Sequence, residues 1–223
     1  MKNRLIYTLL IFNFITFQAQ TKSEQNIGSW YLYYGNHILS EKWSLKTGFE
    51  ERNYQTFQNY NLTLYLLGVN YKITNKLTAA TSYLYLDIDR TFDPDVAPKT
   101  RENRFYEQLS YATKYFKIPF SHRFRIEHRF LNSLGVKTNI NRARYRIKAK
   151  LPLSKKFYIM ASNESFFNFK GKLYSENRFI TAFGFKATKK ISLEAGYLGH
   201  YINDLHLDRI QVALYLKTDF RKK

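Results

Sequence analysis

The sequence predicts an all-β protein, a transmembrane antiparallel up-and-down β-barrel of about ten to twelve strands behind a cleaved signal peptide. Three observations predict it. From Ile27 onward, apolar and polar residues alternate at period 2 in segments separated by short polar turns. The segments run well beyond the roughly 5–6 residues usual in soluble sheets, and reach the about 9–11 that a tilted membrane strand requires. On nearly every segment one face is apolar and the other polar or charged. That is the inverted packing of an outer-membrane barrel, in which closure also satisfies each backbone group that lipid cannot.

The segments follow in order. Residues 27–37 have the strand pattern of Trp30, Leu32 and Tyr34. As an eleventh segment they sit awkwardly with the even strand numbers of bacterial barrels. The stretch 20–40 is therefore read as an N-terminal segment of uncertain role: plug-like, periplasmic, or paired with a twelfth strand. Ten membrane strands then begin with 41–53, at Glu41. The strand at 59–73 is apolar on both faces from Leu62 to Val69, around Tyr65 and Gly68. In 76–90, Leu84, Leu86 and Ile88 are read as the apolar, lipid-facing side, opposite Tyr83, Tyr85, Asp87 and Asp89. The strand at 101–117 is regular except that Glu107 falls on its lipid-facing side, for which a bulge or a position above the bilayer would account.

The next two strands carry the strongest signal. In 119–132, Arg123, Arg125, Glu127 and Arg129 share one face, and Phe124, Ile126, His128 and Phe130 the other. In 138–152, Arg142, Arg144, Arg146, Lys148 and Lys150 oppose Ala143, Tyr145, Ile147, Ala149 and Leu151. Strands at 156–170, 176–188 and 190–203 bring Glu164, Glu176 with Arg178, and Glu194. The last, 206–220, sets Ile210, Val212, Leu214, Leu216 and Phe220 against Arg209, Gln211, Tyr215, Lys217 and Asp219. Tyr and Phe crowd many strand ends, among them Tyr33, Tyr34, Tyr71, Tyr115, Phe116, Phe157 and Tyr201, as interfacial girdles would. β-Propensity alone enriches the same residues.

Turn lengths predict an orientation. Tight connections at 74–75, 117–119, 153–155 and 189–190 are read as periplasmic, and longer ones at 54–58, 91–100, 133–137 and 171–175 as external loops. At the N-terminus, Lys2 and Arg4 precede an apolar run from Leu5 to Phe17, followed by Gln18-Ala19-Gln20. This reads as a signal peptide over 1–19, cut after Ala19, with 20–223 a single barrel domain. The net charge of +19 loses Lys2 and Arg4 on cleavage and stays at +17.

Composition narrows the function classes. At 44% hydrophobic and 18% aromatic residues the chain does not match a disordered polymer, and without cysteine it has no disulfide, thiolate metal site, iron–sulfur cluster or lipoprotein anchor. So basic a chain ordinarily suggests nucleic acid. An exported one meets anionic lipopolysaccharide and phospholipid headgroups instead.

Several stretches resemble a known family. They are Gly28-Ser29-Trp30, Arg104-Phe105-Tyr106-Glu107-Gln108-Leu109, the run Ser121 to Phe130, Arg142-Ala143-Arg144-Tyr145-Arg146, Asn163-Glu164, Glu176-Asn177-Arg178 and Gly196-Tyr197-Leu198. The chain is similar over nearly all its mature length to the family named as domain of unknown function 2490, small exported proteins of Bacteroidota-type, Gram-negative bacteria. The resemblance implies an outer-membrane barrel and no activity.

The candidate site is a lumenal charge network: Arg123, Arg125, Glu127, Arg129, Arg142, Arg144, Arg146, Lys148, Glu164 and Arg178. Glu50, Glu102, Glu176 and Glu194 have the parity to join it. Two readings stay open, a network that fills and rigidifies the barrel, and a basic constriction for small anionic solutes. A soluble periplasmic β-barrel that binds an anionic or lipidic ligand is the alternative. Asp87, Asp89, Asp93 and Asp95 form an acidic island, which lacks the spacing of a helix–loop–helix calcium site and reads as turn residues; no metal or other cofactor is expected. Ser121 and His122 are adjacent and so face opposite ways on a strand, and His37, His200 and His206 lie near rims. No nucleophile elbow or metal-binding His pair occurs, so no catalytic residue is expected, a lipid-modifying enzyme being the lesser alternative. The barrel-assembly machinery is the expected partner of a C-terminal strand ending at Phe220.

Overall fold

A computed structural model describes residues 21–92, 99–116 and 118–221. The segment 1–19, read from sequence as a signal peptide, lies outside the described residues, as do Asp93, Pro94, Asp95 and Pro98 of the acidic loop. The described residues form eleven strands and no helix: β1 (Gly28–Ile38), β2 (Trp43–Gln55), β3 (Gln58–Lys72), β4 (Leu77–Ile88), β5 (Thr100–Tyr115), β6 (Ile118–Ser133), β7 (Val136–Pro152), β8 (Phe157–Asn168), β9 (Tyr174–Lys186), β10 (Ile191–Ile202) and β11 (Leu205–Asp219). Each pairs antiparallel with its sequence neighbours, and β1 closes on β11. The chain is thus the closed barrel expected, and closure leaves no strand edge unpaired.

The closing pair departs from an up-and-down antiparallel barrel. Residues 27–37 are a full barrel strand, neither plug nor periplasmic piece, and with an odd number of strands the first and last run the same way. β1 and β11 are therefore parallel, in register from Gly28↔Arg209 to Ile38↔Asp219. The chain consequently enters the barrel at one end and leaves it at the other.

Turn lengths also differ from expectation. The predicted loops at 54–58 and 133–137 shrink to Thr56–Phe57 and Leu134–Gly135, because the flanking strands extend to meet them. Leu134 (φ 51°) with Gly135 (φ 82°), and Asn203 (φ 49°) with Asp204 (φ 70°), are two-residue turns whose positive φ values match the strand twist. Leu134 is not a turn-forming residue type, and Gly135 carries the second position. At the opposite end four connections share one chemistry. Ser40, Thr74, Ser154 and Thr188 each accept, through the side-chain hydroxyl, the backbone N–H groups two and three residues on. The local sequence is Ser/Thr-x-Lys-apolar every time: Ser40 to Trp43, Thr74 to Leu77, Ser154 to Phe157, Thr188 to Ile191.

Side chains alternate in and out along most of each strand, with register shifts at Arg52/Asn53 and Phe166/Phe167. The outer face carries a belt that includes Leu67, Leu109, Phe124, Tyr145, Phe183, Leu193 and Ile210, all exposed. Toward the end bearing Leu134–Gly135, outward polar residues such as Glu51, Asn103, Asn139 and Asp208 mix with aromatic ones such as Phe130. The interior has two unlike walls. On β3 and β4, Leu62, Leu64, Leu66, Leu84, Leu86 and Ile88 point inward and cluster with Tyr106 and Tyr34. This reverses the β4 faces read from sequence, since Tyr83 points outward and Leu84 inward. One β4 face is leucine-rich and the other carries Tyr83, Tyr85 and Asp87, so polarity alone points the leucines toward lipid, whereas the closed sheet turns them to the lumen. It also explains the doubly apolar stretch from Leu62 to Val69, whose two faces serve lumen and exterior. Glu107 does point outward, without a bulge in its pairing to β6, and is met by His128 at 3.2 Å.

Candidate functional site

The second wall is built on β5 to β10 by residues of one parity. On β6 and β7 eight inward cations stand against one inward carboxylate, Glu127, so neighbouring strands must contribute the rest. Glu127 is wholly buried and is the hub. Its cross-strand neighbour Arg142 donates from Nε at 2.7 Å, Arg144 from Nη1 at 2.5 Å and Arg125 from Nη1 at 3.3 Å, with Arg104 Nη1 at 3.6 Å. Glu102 on β5 binds Arg104 Nε at 2.6 Å and takes Arg129 bidentately, at 2.8 Å for both nitrogens. Glu164 on β8 receives Arg123 Nη2 at 2.6 Å and two bonds from Arg144, at 3.0 and 2.9 Å. Glu176 on β9 holds Arg178 Nε at 2.7 Å, Arg142 Nη1 at 3.1 Å and His200 Nε2 at 2.8 Å. Glu194 on β10 gathers Lys150 at 2.8 Å, Lys148 at 3.5 Å and the hydroxyls of Tyr158 and Tyr215.

Removing so many charges from bulk water is costly unless each is met by opposite charge and hydrogen bonds. Arginine suits this because its planar fork donates to two carboxylates at once, as Arg142 and Arg144 do here. Aromatic rings add a second support. Arg142, Arg144 and Arg178 surround Phe166 at 4.3–4.7 Å, Arg125 lies 3.7 Å over Tyr106, and Arg52 lies 3.6 Å over Trp30.

Of the ten residues read from sequence, the structure brings nine into ion pairs within this wall. Arg146 is the exception: it faces the same space and makes no ion pair among the described residues, and its Nε is buried without a hydrogen-bond acceptor. Alternation alone did not single out Arg52, Arg104, Lys46, Tyr106 and Phe166. Three of the network's pairs obey a simple spacing, Glu-x-Arg on one strand face, at Glu50/Arg52, Glu102/Arg104 and Glu176/Arg178. That repeat was the available signal.

The other candidates separate. His122 points outward to the Tyr145 hydroxyl at 2.8 Å, away from Ser121; His37 bridges Thr218 and Thr47; His206 lies 3.5 Å from Asp208, while Asp204 pairs with Lys172. The Asp89 carboxylate accepts from Thr91 N and Oγ1, as a turn residue does. The two walls enclose a cavity of about 1150 Å³.

The model of the family described as a protein of unknown function (DUF2490) matches residues 27–211. No curated protein matches the chain. Among solved structures, one described as the NanC porin in a rhombohedral crystal form is similar at 13% identity and a TM-score of 0.50, over 82% of this chain and 94% of that one. At that identity the likeness speaks to the barrel fold.

Proposed function

The chain belongs to the DUF2490 family, and we propose that it is an outer-membrane, porin-like barrel whose charged lumen admits or retains small anionic solutes. One observation carries the reading: an exposed apolar belt surrounds a lumen lined by arginine, lysine and glutamate. The belt suits lipid and would be costly in water, which argues against a soluble periplasmic barrel. The strand ends toward Leu134–Gly135, with mixed polar and aromatic outer faces, suit the cell exterior, and the Ser/Thr-x-Lys turns the periplasmic side. Lipopolysaccharide and phospholipids are then its surroundings, and the barrel-assembly machinery would engage β11 and Phe220. The reading assigns no catalysis.

The ion-paired wall narrows the passage, so the barrel is a constricted path rather than a wide aqueous pore. The test is to reconstitute the mature chain into planar bilayers and measure reversal potentials in a salt gradient. Anion-selective currents of small conductance are expected. Cation selectivity, or release of the chain from membranes by salt alone, overturns the proposal.

A further inference from the structure

The two walls of the lumen differ in a way that a path for simple inorganic anions does not require. Three neighbouring cations are incompletely met among the described residues. Arg123 and Arg146 are direct cross-strand neighbours, like charge against like, and the Nε of each is buried without an acceptor. Lys46 reaches in from β2, donates to the Tyr106 hydroxyl at 3.1 Å, lies near the Tyr34 and Tyr106 rings, makes no ion pair among the described residues, and is repelled by Arg125 and Arg123. Glu164 meets one edge of Arg123 and is shared with Arg144.

The leucine wall begins beside this cluster. Lys46 is in register with Gly68, and the next inward residue along β3 is Leu66, followed by Leu64. Tyr106 is the seam: its ring belongs to the leucine cluster and carries Arg125 on its face, while its hydroxyl holds Lys46. Both walls line the same cavity of about 1150 Å³. A small anion would satisfy the cations and leave the leucines facing water. A hydrocarbon would do the reverse. Binding pockets typically pair apolar walls with a few placed polar groups that fix orientation.

We propose that the lumen binds an amphiphilic organic anion, its carboxylate, sulfate or phosphate head at Lys46, Arg123 and Arg146 and its hydrocarbon body along Leu66, Leu64 and Leu84. This rests on the anion-accepting reading above and adds the class of solute.

The test uses the barrel in lipid nanodiscs, with empty nanodiscs subtracted, and equilibrium dialysis of octanoate, acetate and 1-octanol. Octanoate should bind saturably and more tightly than either. Lys46→Gln and Arg146→Gln strand no carboxylate, and each should weaken octanoate by about tenfold, the loss expected of one charged hydrogen bond. Leu66→Thr should weaken octanoate and leave acetate unchanged. A barrel whose gel mobility stays heat-modifiable counts as folded. Equal binding of acetate and octanoate, both lost in Arg146→Gln, overturns the amphiphile and leaves the anion path standing. Octanol binding as tightly as octanoate, or octanoate indifferent to both polar variants, overturns the head-group site. No saturable binding of either anion to the folded barrel overturns both readings.

Discussion

Glu127 and Arg142 face one another across β6 and β7, and the 2.7 Å bond between them is one of four guanidinium contacts on a single buried carboxylate. Removing the charge of Glu127 leaves Arg104, Arg125, Arg142 and Arg144 in mutual repulsion. Glu127→Gln should therefore destabilise the barrel by about 3–5 kcal/mol, the cost of breaking a buried ion pair from one side. Urea unfolding in detergent or bilayers measures it. A loss under about 1 kcal/mol, the scale of an exposed pair, would show that water reaches the hub.

The parallel closure can be tested without background, because the chain has no native cysteine. Tyr33 and Leu214 are in register across β1 and β11. Oxidising the Tyr33→Cys/Leu214→Cys double variant should give an intramolecular disulfide, visible as a gel shift that reductant reverses. Failure to cross-link in a heat-modifiable, folded barrel would mean that β1 does not close the sheet in this register.

Face assignment predicts unequal tolerance of charge. Ile147 and Leu214 lie on the outer face and Gln211 on the inner. Arginine at Ile147 or Leu214 should cost about 2–4 kcal/mol if the site lies near the bilayer midplane. Arginine at Gln211 should cost less. Equal unfolding free energies for the three variants would contradict the assigned parity.

Selectivity should depend on Arg146 more than on its neighbours. Arg144 is held by Glu127 and Glu164, so its replacement mainly weakens the wall, whereas Arg146 makes no ion pair among the described residues. Arg146→Glu should shift the reversal potential toward cations while the barrel stays folded, since a lumenal charge acts over a Debye length of about 8 Å at physiological salt. An unchanged potential would remove Arg146 from the path.

Outside the strands, the N-terminal segment is pinned at the rim by Glu24. Its carboxylate accepts from the backbone N–H of Thr21 at 2.9 Å and of His206 at 3.0 Å, which together hold it below its ordinary value of 4.5. A carboxyl depressed in the folded state adds stability above its unfolded pKa and loses it as pH falls through the folded one. The His206 amide resonance should accordingly titrate with a midpoint below 4.5. Glu24→Gln should abolish that transition, and a midpoint at or above 4.5 would place the carboxylate free in water.

Sequence alone determined whatever depends on the period of a strand. Alternation over long segments implied a closed barrel, and it placed Arg123, Arg125, Glu127, Arg142 and Arg144 on one face each, because a pleated backbone sends every second side chain the same way. What alternation cannot convey is direction, and β4 shows this: its leucine face is less polar than the face of Tyr83, Tyr85 and Asp87, yet closure of the sheet turns Leu84 and Leu86 inward, creating a leucine wall beside the arginines. Strand number was likewise a tertiary matter. Trp30, Leu32 and Tyr34 marked 27–37 as a strand, but its parallel seat against β11 depends on two ends of the chain meeting around the barrel. Pairing within the charged wall depends on register between strands, so Glu164 reaches diagonally to Arg123 and Arg144 while its direct neighbour Arg146 makes no ion pair among the described residues. Local periodicity sets which face a side chain occupies; the long-range registers of a closed sheet set what it meets there.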